Sequence, residues 1–223
     1  SGVRASIGNF QEYQHILDGL VTFCANRLPQ PWLALGQSTG AAILMDYVLA
    51  RPQASHFQRL FFLAPLVYPA RMQWLQMKLA FWWFQAVRSG LPRAFRTNTG
   101  DADFVRFMRD EDPLQARWIP LSWLLALKDW IDHIHQARPC PMPVWIVQGE
   151  RDGTVNGSYN VAFIGKHLYL QRLLWLSQAS HQLANERSDI RAPIELMLRQ
   201  FLEGQAQPDQ NYQPCPDNQA TGD

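Results

Sequence analysis

The sequence predicts an α/β fold in which a mostly parallel sheet is flanked by helices and carries an inserted helical cap. Four short apolar runs are typical of strands, at residues 32–35, 60–63, 144–147 and 168–176. Strands that are apolar throughout are buried on both faces, and their alternation with helical segments indicates a parallel sheet covered on each side. At 223 residues the chain can form one good core, which we expect from residues 1–67 and 140–204.

The first part of this core is predicted as a helix, a strand, a sharp turn and a second helix. Residues 10–27 predict the first helix, because their apolar side chains recur at helical spacing and a Pro-rich run at 28–31 follows. These side chains are Phe10, Tyr13, Ile16, Leu17, Leu20, Val21 and Cys24. The strand at 32–35 then enters Gly-Gln-Ser-Thr-Gly at 36–40, and residues 41–50 continue as a helix without a break.

The long segment between the second and third predicted strands, residues 68–139, predicts the helical cap. A crossover between parallel strands needs far fewer residues, so the excess indicates a lid over a site or a small subdomain. Six of the nine tryptophans lie in it: Trp74, Trp82, Trp83, Trp118, Trp123 and Trp130. Simple packing of these rings against the core is the alternative. The tail, residues 205–223, is rich in Gln, Pro, Asn and Asp, which predicts disorder.

Composition and charge exclude several classes of protein. The 20 Lys and Arg residues against 19 Asp and Glu leave a net charge of +1 and form no basic stripe, so we expect no nucleic-acid partner. Three cysteines without a CxxC spacing, Cys24, Cys140 and Cys215, argue against a disulfide framework and favour a reducing compartment. The apolar runs end well short of the ~20 residues that span a bilayer, and the first residues lack a secretion-signal pattern. The sequence therefore predicts a cytoplasmic protein.

The turn at 36–40 matches the nucleophile-elbow pattern G-x-S-x-G, with Ser38 as the candidate nucleophile. Its position after an apolar strand and before a helix is the context that this pattern requires. We expect Gly36 and Gly40 to let the strand and the helix approach closely. The backbone N–H of Thr39, at the start of the helix, is a candidate oxyanion-hole donor. The alternative is a serine that only caps the helix.

Asp152 is the candidate acid of the site. It lies just after the third strand, at the carboxyl end of a parallel strand, where sheets of this kind place their sites. A serine needs a base, and the base needs a partner that fixes its tautomer. Glu150 is the rival carboxylate, and it is disfavoured because it lies nearer the strand end. The structural alternative is that Asp152 is an ordinary turn aspartate before Gly153.

His181 is the candidate base, because among the six histidines it is the one in a loop beyond the fourth strand, before a final helix predicted at 188–202. The order serine, acid, histidine is that of the α/β sheet hydrolases with a nucleophile elbow. Three other histidines are interpreted as structural and not catalytic, because they lie in the first helix, in a surface loop and at a helix end: His15, His56 and His167. His133 and His135 lie two residues apart on a predicted helix, which does not bring both rings to one face, so we expect no metal and no cofactor.

With these residues in place, the chain resembles the α/β-hydrolase superfamily, in the branch of monoacylglycerol lipases and lysophospholipases. The resemblance covers roughly residues 1–202. It is carried by the following segments: Gly8-Asn9-Phe10, the turn at 36–40, Ala64-Pro65-Leu66, Asp112-Pro113-Leu114, residues 149–155, and Ser180-His181 with Glu186 behind it. It implies a triad of Ser38, His181 and Asp152 that hydrolyses single-chain acyl esters, and a cap that presents an apolar surface to lipid.

The chain departs from the pattern of this branch in two respects. Gln37 and Thr39 stand where the branch has His and Met, and Ala41 replaces a common Gly. The branch also starts with earlier strands that supply a second oxyanion donor, so we expect an N-terminally truncated chain that is a poor catalyst and self-associates.

These observations predict a serine hydrolase of carboxylic esters, acting on monoacyl lipids of the monoacylglycerol or lysophospholipid type through an acyl-enzyme on Ser38. Trp82 and Trp83 are candidate substrate-binding residues, because apolar cap helices would shelter an acyl chain. The cap would also contact a membrane surface transiently. One alternative is a serine hydrolase acting on peptides or lactones, and another is a non-catalytic or weakly active fragment or binding module. Dehalogenase and epoxide hydrolase activities are disfavoured, because relatives with these activities have an aspartate at the position of Ser38.

Overall fold

The computed structural model describes residues 5–51, 56–70, 97–114 and 116–204, together with the backbone of residues 91–92. Its main sheet has four parallel strands: β1 (Trp32–Gln37), β2 (Phe57–Leu63), β5 (Pro143–Gly149) and β6 (Tyr169–Leu176). They lie side by side in the order β1-β2-β5-β6. A separate antiparallel pair joins β3 (Leu91–Pro92) to β4 (Trp118–Ile119). The mostly parallel sheet that the apolar runs predict is confirmed.

Helices cover both faces of this sheet. The α-helices of the described residues are α1 (Gln11–Ala25), α2 (Thr39–Ala50), α3 (Ala102–Arg106, continued by a π-helical turn at Phe107–Glu111), α4 (Leu121–Ile134), α5 (Gly157–His167) and α6 (Ser188–Leu202). All of them except α3 contribute buried residues to the core around the sheet. Within the described ranges, no helix is long and apolar enough to pass through a bilayer.

Alternation along the two central strands divides the core into two clusters. Even-numbered side chains of β2 and β5, such as Leu60 and Ile146, pack with α1, α2, α4 and α5. Odd-numbered ones, such as Phe61 and Trp145, pack with α6. Successive strand residues point to opposite faces, so an apolar run without polar interruptions is what a strand covered on both sides needs.

The structure places one predicted cap helix in the core. In α4, Leu127, Trp130 and Ile131 are buried in the same cluster as α2, and Trp130 stacks on Phe10 with ring centroids 4.5 Å apart. Residues 71–90 and 93–96 of the predicted cap, including Trp82 and Trp83, lie outside the described residues, as do Cys215 and the tail at 205–223. The lid at 68–139 therefore stays a prediction, while its last helix contributes to the core.

Candidate active site

Ser38 lies at the sharp turn between β1 and α2, in a backbone conformation that non-glycine residues rarely adopt. Its φ is 52° and its ψ is −114°, and α2 begins at the next residue. The backbone around it is held by four hydrogen bonds: Ser38 N–H donates to Leu63 O, and the N–H groups of Ala41, Ala42 and Leu66 donate to Ser38 O. Strain that is held in this way by surrounding contacts is typical of functional residues.

The two glycines of the turn have different roles. A Cβ on Gly36 would lie 2.6 Å from the backbone nitrogen of Ala41 and 2.7 Å from the carbonyl carbon of Gly40, so only glycine fits there. A Cβ on Gly40 would meet no atom within 4 Å. The close approach of strand and helix therefore depends on the missing side chain of Gly36, which faces the backbone of Gly40 and Ala41, whereas a Cβ on Gly40 itself would have space.

His181 links Ser38 to Asp152. Its Nε2 lies 3.0 Å from Ser38 Oγ, and its Nδ1 lies 2.8 Å from Asp152 Oδ2. An ionised carboxylate only accepts hydrogen bonds, so Nδ1 carries the proton and Nε2 is left to accept from the serine hydroxyl. The side chains of His181 and Asp152 are only 5% and 2% exposed, so the pair is shielded from water.

Four donors surround the carboxylate of Asp152. Its Oδ1 accepts from the backbone N–H groups of Thr154 at 2.8 Å and Val155 at 3.1 Å, while its Oδ2 accepts from His181 and from Gln148 Nε2 at 3.0 Å. Burial by itself would raise the pKa of Asp152, but His181 and the two backbone donors outweigh it, and the pKa lies below its ordinary value. The rival carboxylate, Glu150, is exposed.

The loop that carries His181 is attached to its surroundings on three sides. The N–H groups of His181 and Gln182 both donate to the backbone oxygen of Asn98, at 3.0 and 2.9 Å. The side chain of Gln37, next to Ser38, donates to Gln182 Oε1 at 2.9 Å.

The third attachment is Glu186, a carboxylate that is completely buried. It accepts from the N–H of Ser180 at 2.9 Å, from the N–H of Gly100 at 2.6 Å and from the Thr99 hydroxyl at 3.3 Å. The histidine loop is thus held against both the turn after β1 and the segment before α3.

Thr39 occupies the position that an oxyanion donor requires. It is the first residue of α2, and the first N–H groups of a helix have no acceptor within the helix. These groups also lie at the positive end of the helix dipole. A negative charge that develops beside Ser38 would be stabilised by this N–H, so the role of Thr39 stays a prediction with suitable geometry.

The other histidines lie away from this cluster. His15 is inside α1, His167 is the last residue of α5, and His56 is half-buried just before β2. His133 lies in α4 and His135 follows that helix, where its ring contacts Tyr159. Among the described residues, no group of three or more His, Cys, Asp or Glu side chains could hold a metal ion.

Sequence reasoning missed several residues that shape the site. Gln148, a completely buried amide that donates to Asp152, gave one signal: it is a polar side chain at the end of an apolar strand run. Gln37 departs from the family pattern, but that departure does not reveal its bond to Gln182, which joins segments 145 positions apart. The acceptor at Asn98 is a backbone oxygen, which no residue type reveals.

Comparison with known proteins gives one family. A family model described as serine aminopeptidase, S33, matches residues 1–188. The comparison with curated proteins gave no match.

Solved structures are similar over most of the chain at low identity. The monoacylglycerol lipase of Paleococcus ferrophilus has a TM-score of 0.66 and 16% identity, with 87% of this chain and 77% of that chain covered. A soluble variant of monoglyceride lipase from Saccharomyces cerevisiae, in complex with a substrate analogue, has a TM-score of 0.67 and 15% identity, with 90% and 70% covered. An esterase from Exiguobacterium antarcticum has a TM-score of 0.63 and 11% identity, with 91% and 77% covered. Likeness at these identities shows a common fold.

Proposed function

The chain belongs to the serine aminopeptidase S33 family and has the α/β-hydrolase fold, and from this premise we propose that it is a serine hydrolase of carboxylic esters. The observation that carries the proposal is the unbroken chain of hydrogen bonds from Ser38 through His181 to Asp152. A fold hosts many activities, so the function is argued from this site.

The geometry supports acyl transfer through Ser38. As the serine oxygen attacks the ester carbonyl carbon, its proton passes to Nε2 of His181, 3.0 Å away. The ionised Asp152 stabilises the imidazolium that forms, and the N–H of Thr39 donates to the carbonyl oxygen as it gains negative charge. His181 then returns the proton to the leaving alcohol, and the acyl group stays on Ser38. A water molecule, activated by His181 in the same way, releases the carboxylic acid.

The substrate class that we propose is a monoacyl lipid, of the monoacylglycerol or lysophospholipid type. Two of the similar structures are lipases of monoacylglycerols by name, and one of them holds a substrate analogue. The concentration of tryptophan between residues 68 and 139 also fits a segment that shelters an acyl chain. Trp82 and Trp83 are the candidate members of that surface.

The first experiment tests whether Ser38 is a nucleophile. Fluorophosphonate labelling of the wild type should modify Ser38, and ester turnover should fall by at least about a thousandfold in Ser38→Ala and His181→Ala. The double variant should be scarcely worse than Ser38→Ala, because the residues act as a unit. Ser158 offers a matched control, since Ser158→Ala removes a serine hydroxyl that is exposed on α5 and lies outside the turn between β1 and α2. Labelling that persists in Ser38→Ala would rule out the assignment.

The second experiment tests the lipid. On a panel of esters that differ only in acyl length, kcat/KM should rise with each methylene until the pocket ends, since a buried methylene contributes about 0.8 kcal/mol. Trp82→Ala and Trp83→Ala should flatten this rise. If kcat/KM of the wild type does not change with acyl length, the esterase activity remains supported but a monoacyl lipid as the substrate is contradicted.

A peptidase is the second candidate, and the description of the matching family favours it. The same nucleophile, base and acid can cleave an amide, provided that His181 protonates the leaving amine. Turnover of aminoacyl p-nitroanilides that exceeds turnover of every ester in the panel would favour the peptidase over the lipase.

A further inference from the structure

Gln148 is a completely buried amide at the end of β5, in contact with the candidate acid. Its Nε2 donates to Asp152 Oδ2 at 3.0 Å and to the backbone oxygen of Gly149 at 3.1 Å. Both partners only accept hydrogen bonds, so the amide has to present its NH2 group to them and its oxygen to the other side.

The oxygen of this amide has no protein partner among the described residues. Gln148 Oε1 is buried, and a buried acceptor without a partner lowers the stability of the folded protein. An apolar side chain of similar size would avoid that cost at a position where the preceding strand residues, from Val144 to Val147, are all apolar and buried. The feature that distinguishes glutamine from an apolar residue here is therefore the donation from its NH2 group to Asp152.

The NH2 group of Gln148 and the ring of His181 share one oxygen of Asp152. Oδ2 accepts from Nδ1 at 2.8 Å and from Nε2 of Gln148 at 3.0 Å, while two backbone N–H groups occupy Oδ1. A carboxylate held by donors on both oxygens cannot rotate about its Cβ–Cγ bond without losing one of them. The amide thus fixes the direction from which Asp152 faces His181.

Gly157 makes room for the side chain of Gln148. A Cβ on Gly157, the first residue of α5, would lie 2.9 Å from Cγ and Cδ of Gln148. The absence of a side chain at Gly157 is what lets the glutamine fill the space between α5 and the Asp152 loop.

We propose that Gln148 is a positioning residue of the triad, which orients the Asp152 carboxylate toward His181 and draws part of its negative charge away from the imidazole. This inference rests on the proposed hydrolase function of the same site. It predicts that loss of the amide changes catalysis more than it changes folding.

The test compares two buried glutamines. Gln148→Met removes the donor at similar volume. Gln14→Met is the matched control, since Gln14 is also buried, its amide also donates, to Ile43 O, and its oxygen also has no protein partner among the described residues. Gly157→Ala is a second variant, which leaves the amide chemically intact and displaces it. Each is assayed with short-chain p-nitrophenyl esters over a range of pH, and its unfolding free energy is measured by denaturation.

In Gln148→Met, kcat should fall about tenfold with KM little changed, because one hydrogen bond to a charged group is lost. The acid limb of the kcat/KM profile should move to higher pH, because an Asp152 carboxylate that no longer accepts from Gln148 holds the imidazolium of His181 more tightly. Glu186, the other carboxylate of the histidine loop, accepts from the backbone N–H of Ser180 and not from the ring of His181. Gly157→Ala should share the fall in kcat. The unfolding free energy of Gln148→Met should be no lower than that of Gln14→Met.

A readout without substrate separates this inference from the proposed function. The proton on Nδ1 of His181, followed by NMR in the resting protein, should change its chemical shift in Gln148→Met and keep it in Gln14→Met. An unchanged shift with unchanged kcat would overturn the proposal, and so would a Gln148→Met variant that fails to fold or unfolds more easily than Gln14→Met. If the wild type cleaves no ester, the proposed function fails, and the NMR comparison still decides the role of Gln148.

Discussion

At the scale of single residues, the site depends on keeping a buried carboxylate ionised. Asp152 is almost completely shielded from water, which by itself favours the protonated acid. The His181 ring and the backbone N–H groups of Val155 and Thr154 reverse that preference and leave the pKa of Asp152 below its ordinary value. The backbone N–H groups of the loop that follows Asp152 therefore contribute to the site, because they stabilise the ionised carboxylate that contacts His181.

This lowered pKa predicts a pH dependence of stability. The unfolded chain binds the Asp152 proton more readily than the folded protein, so the stabilisation is present above the ordinary aspartate pKa of about 4 and is lost as pH falls below it. The unfolding free energy of the wild type should thus decrease more steeply below about pH 4 than that of Asp152→Asn. Denaturation series at several pH values measure both slopes.

One control variant isolates the effect. Glu150→Gln removes an exposed carboxylate two residues away and should keep the wild-type slope. Asp46, buried in α2, has a pKa raised by burial and so contributes with the opposite sign, but all the variants retain it. An identical slope in the wild type and Asp152→Asn, or loss of ester turnover in Glu150→Gln with full turnover in Asp152→Asn, would contradict the assignment of the acid.

At the scale of elements, the meeting of β1 and α2 presents Ser38. The strand ends at Gln37, the helix begins at Thr39, and the serine between them takes a positive φ. Ala64, just after the neighbouring strand β2, also has a positive φ of 44°, and its N–H donates to Val147 O in β5. The chain thus turns sharply after both β1 and β2, and the turn after β2 is bonded to β5. Ser38 therefore lies at the edge of the sheet that the carboxyl ends of these strands form.

The two glycines of the turn predict opposite outcomes. Gly36→Ala should destabilise the protein by about 3 kcal/mol or more, because the added Cβ meets backbone atoms of α2 that cannot move separately. Gly40→Ala, its matched control in the second position of the helix, should be neutral or stabilising by up to about 1 kcal/mol, because alanine favours a helix and the Cβ meets nothing. Chemical denaturation measures both. Equal effects of the two substitutions would mean that the strand and the helix do not approach at Gly36.

At the scale of the whole molecule, the core is well covered on the two central strands and less so beside β1. The strand β1 is at one end of the sheet order, and its Leu35 is exposed. On α1, Ile16, Leu20 and Phe23 are 69%, 56% and 56% exposed and follow one another at helical spacing along one face. An apolar surface of this kind favours contact with another apolar surface.

We therefore expect the 223-residue chain to self-associate through the exposed face of α1. The double variant Leu20→Lys and Phe23→Lys should sediment as a smaller species than the wild type, while its unfolding free energy stays within about 0.5 kcal/mol, as is usual for exposed positions. The control is Leu196→Lys in α6, which removes an equally exposed leucine outside this face. A wild type that sediments as a monomer at all accessible concentrations would refute the prediction.

The sequence by itself determined the secondary-structure elements and the identity of the candidate catalytic residues. Apolar runs predicted the four strands of the sheet, and the last helix runs from Ser188 to Leu202 as its pattern predicts. The turn around Ser38 and the loop positions of Asp152 and His181 were also readable, because side-chain periodicity and tight turns depend on neighbours within a few positions along the chain.

Only the tertiary structure decided which groups meet. The contact of His181 with Asp152 and Ser38, the donation from Gln148, and the placement of α4 in the core depend on the order and register of β1, β2, β5 and β6. The bond between Gln37 and Gln182 spans 145 positions, and the acceptor for the histidine loop is a backbone oxygen. Such contacts arise when parallel strands are brought side by side, and no short-range pattern in the chain records which polar atoms then face one another.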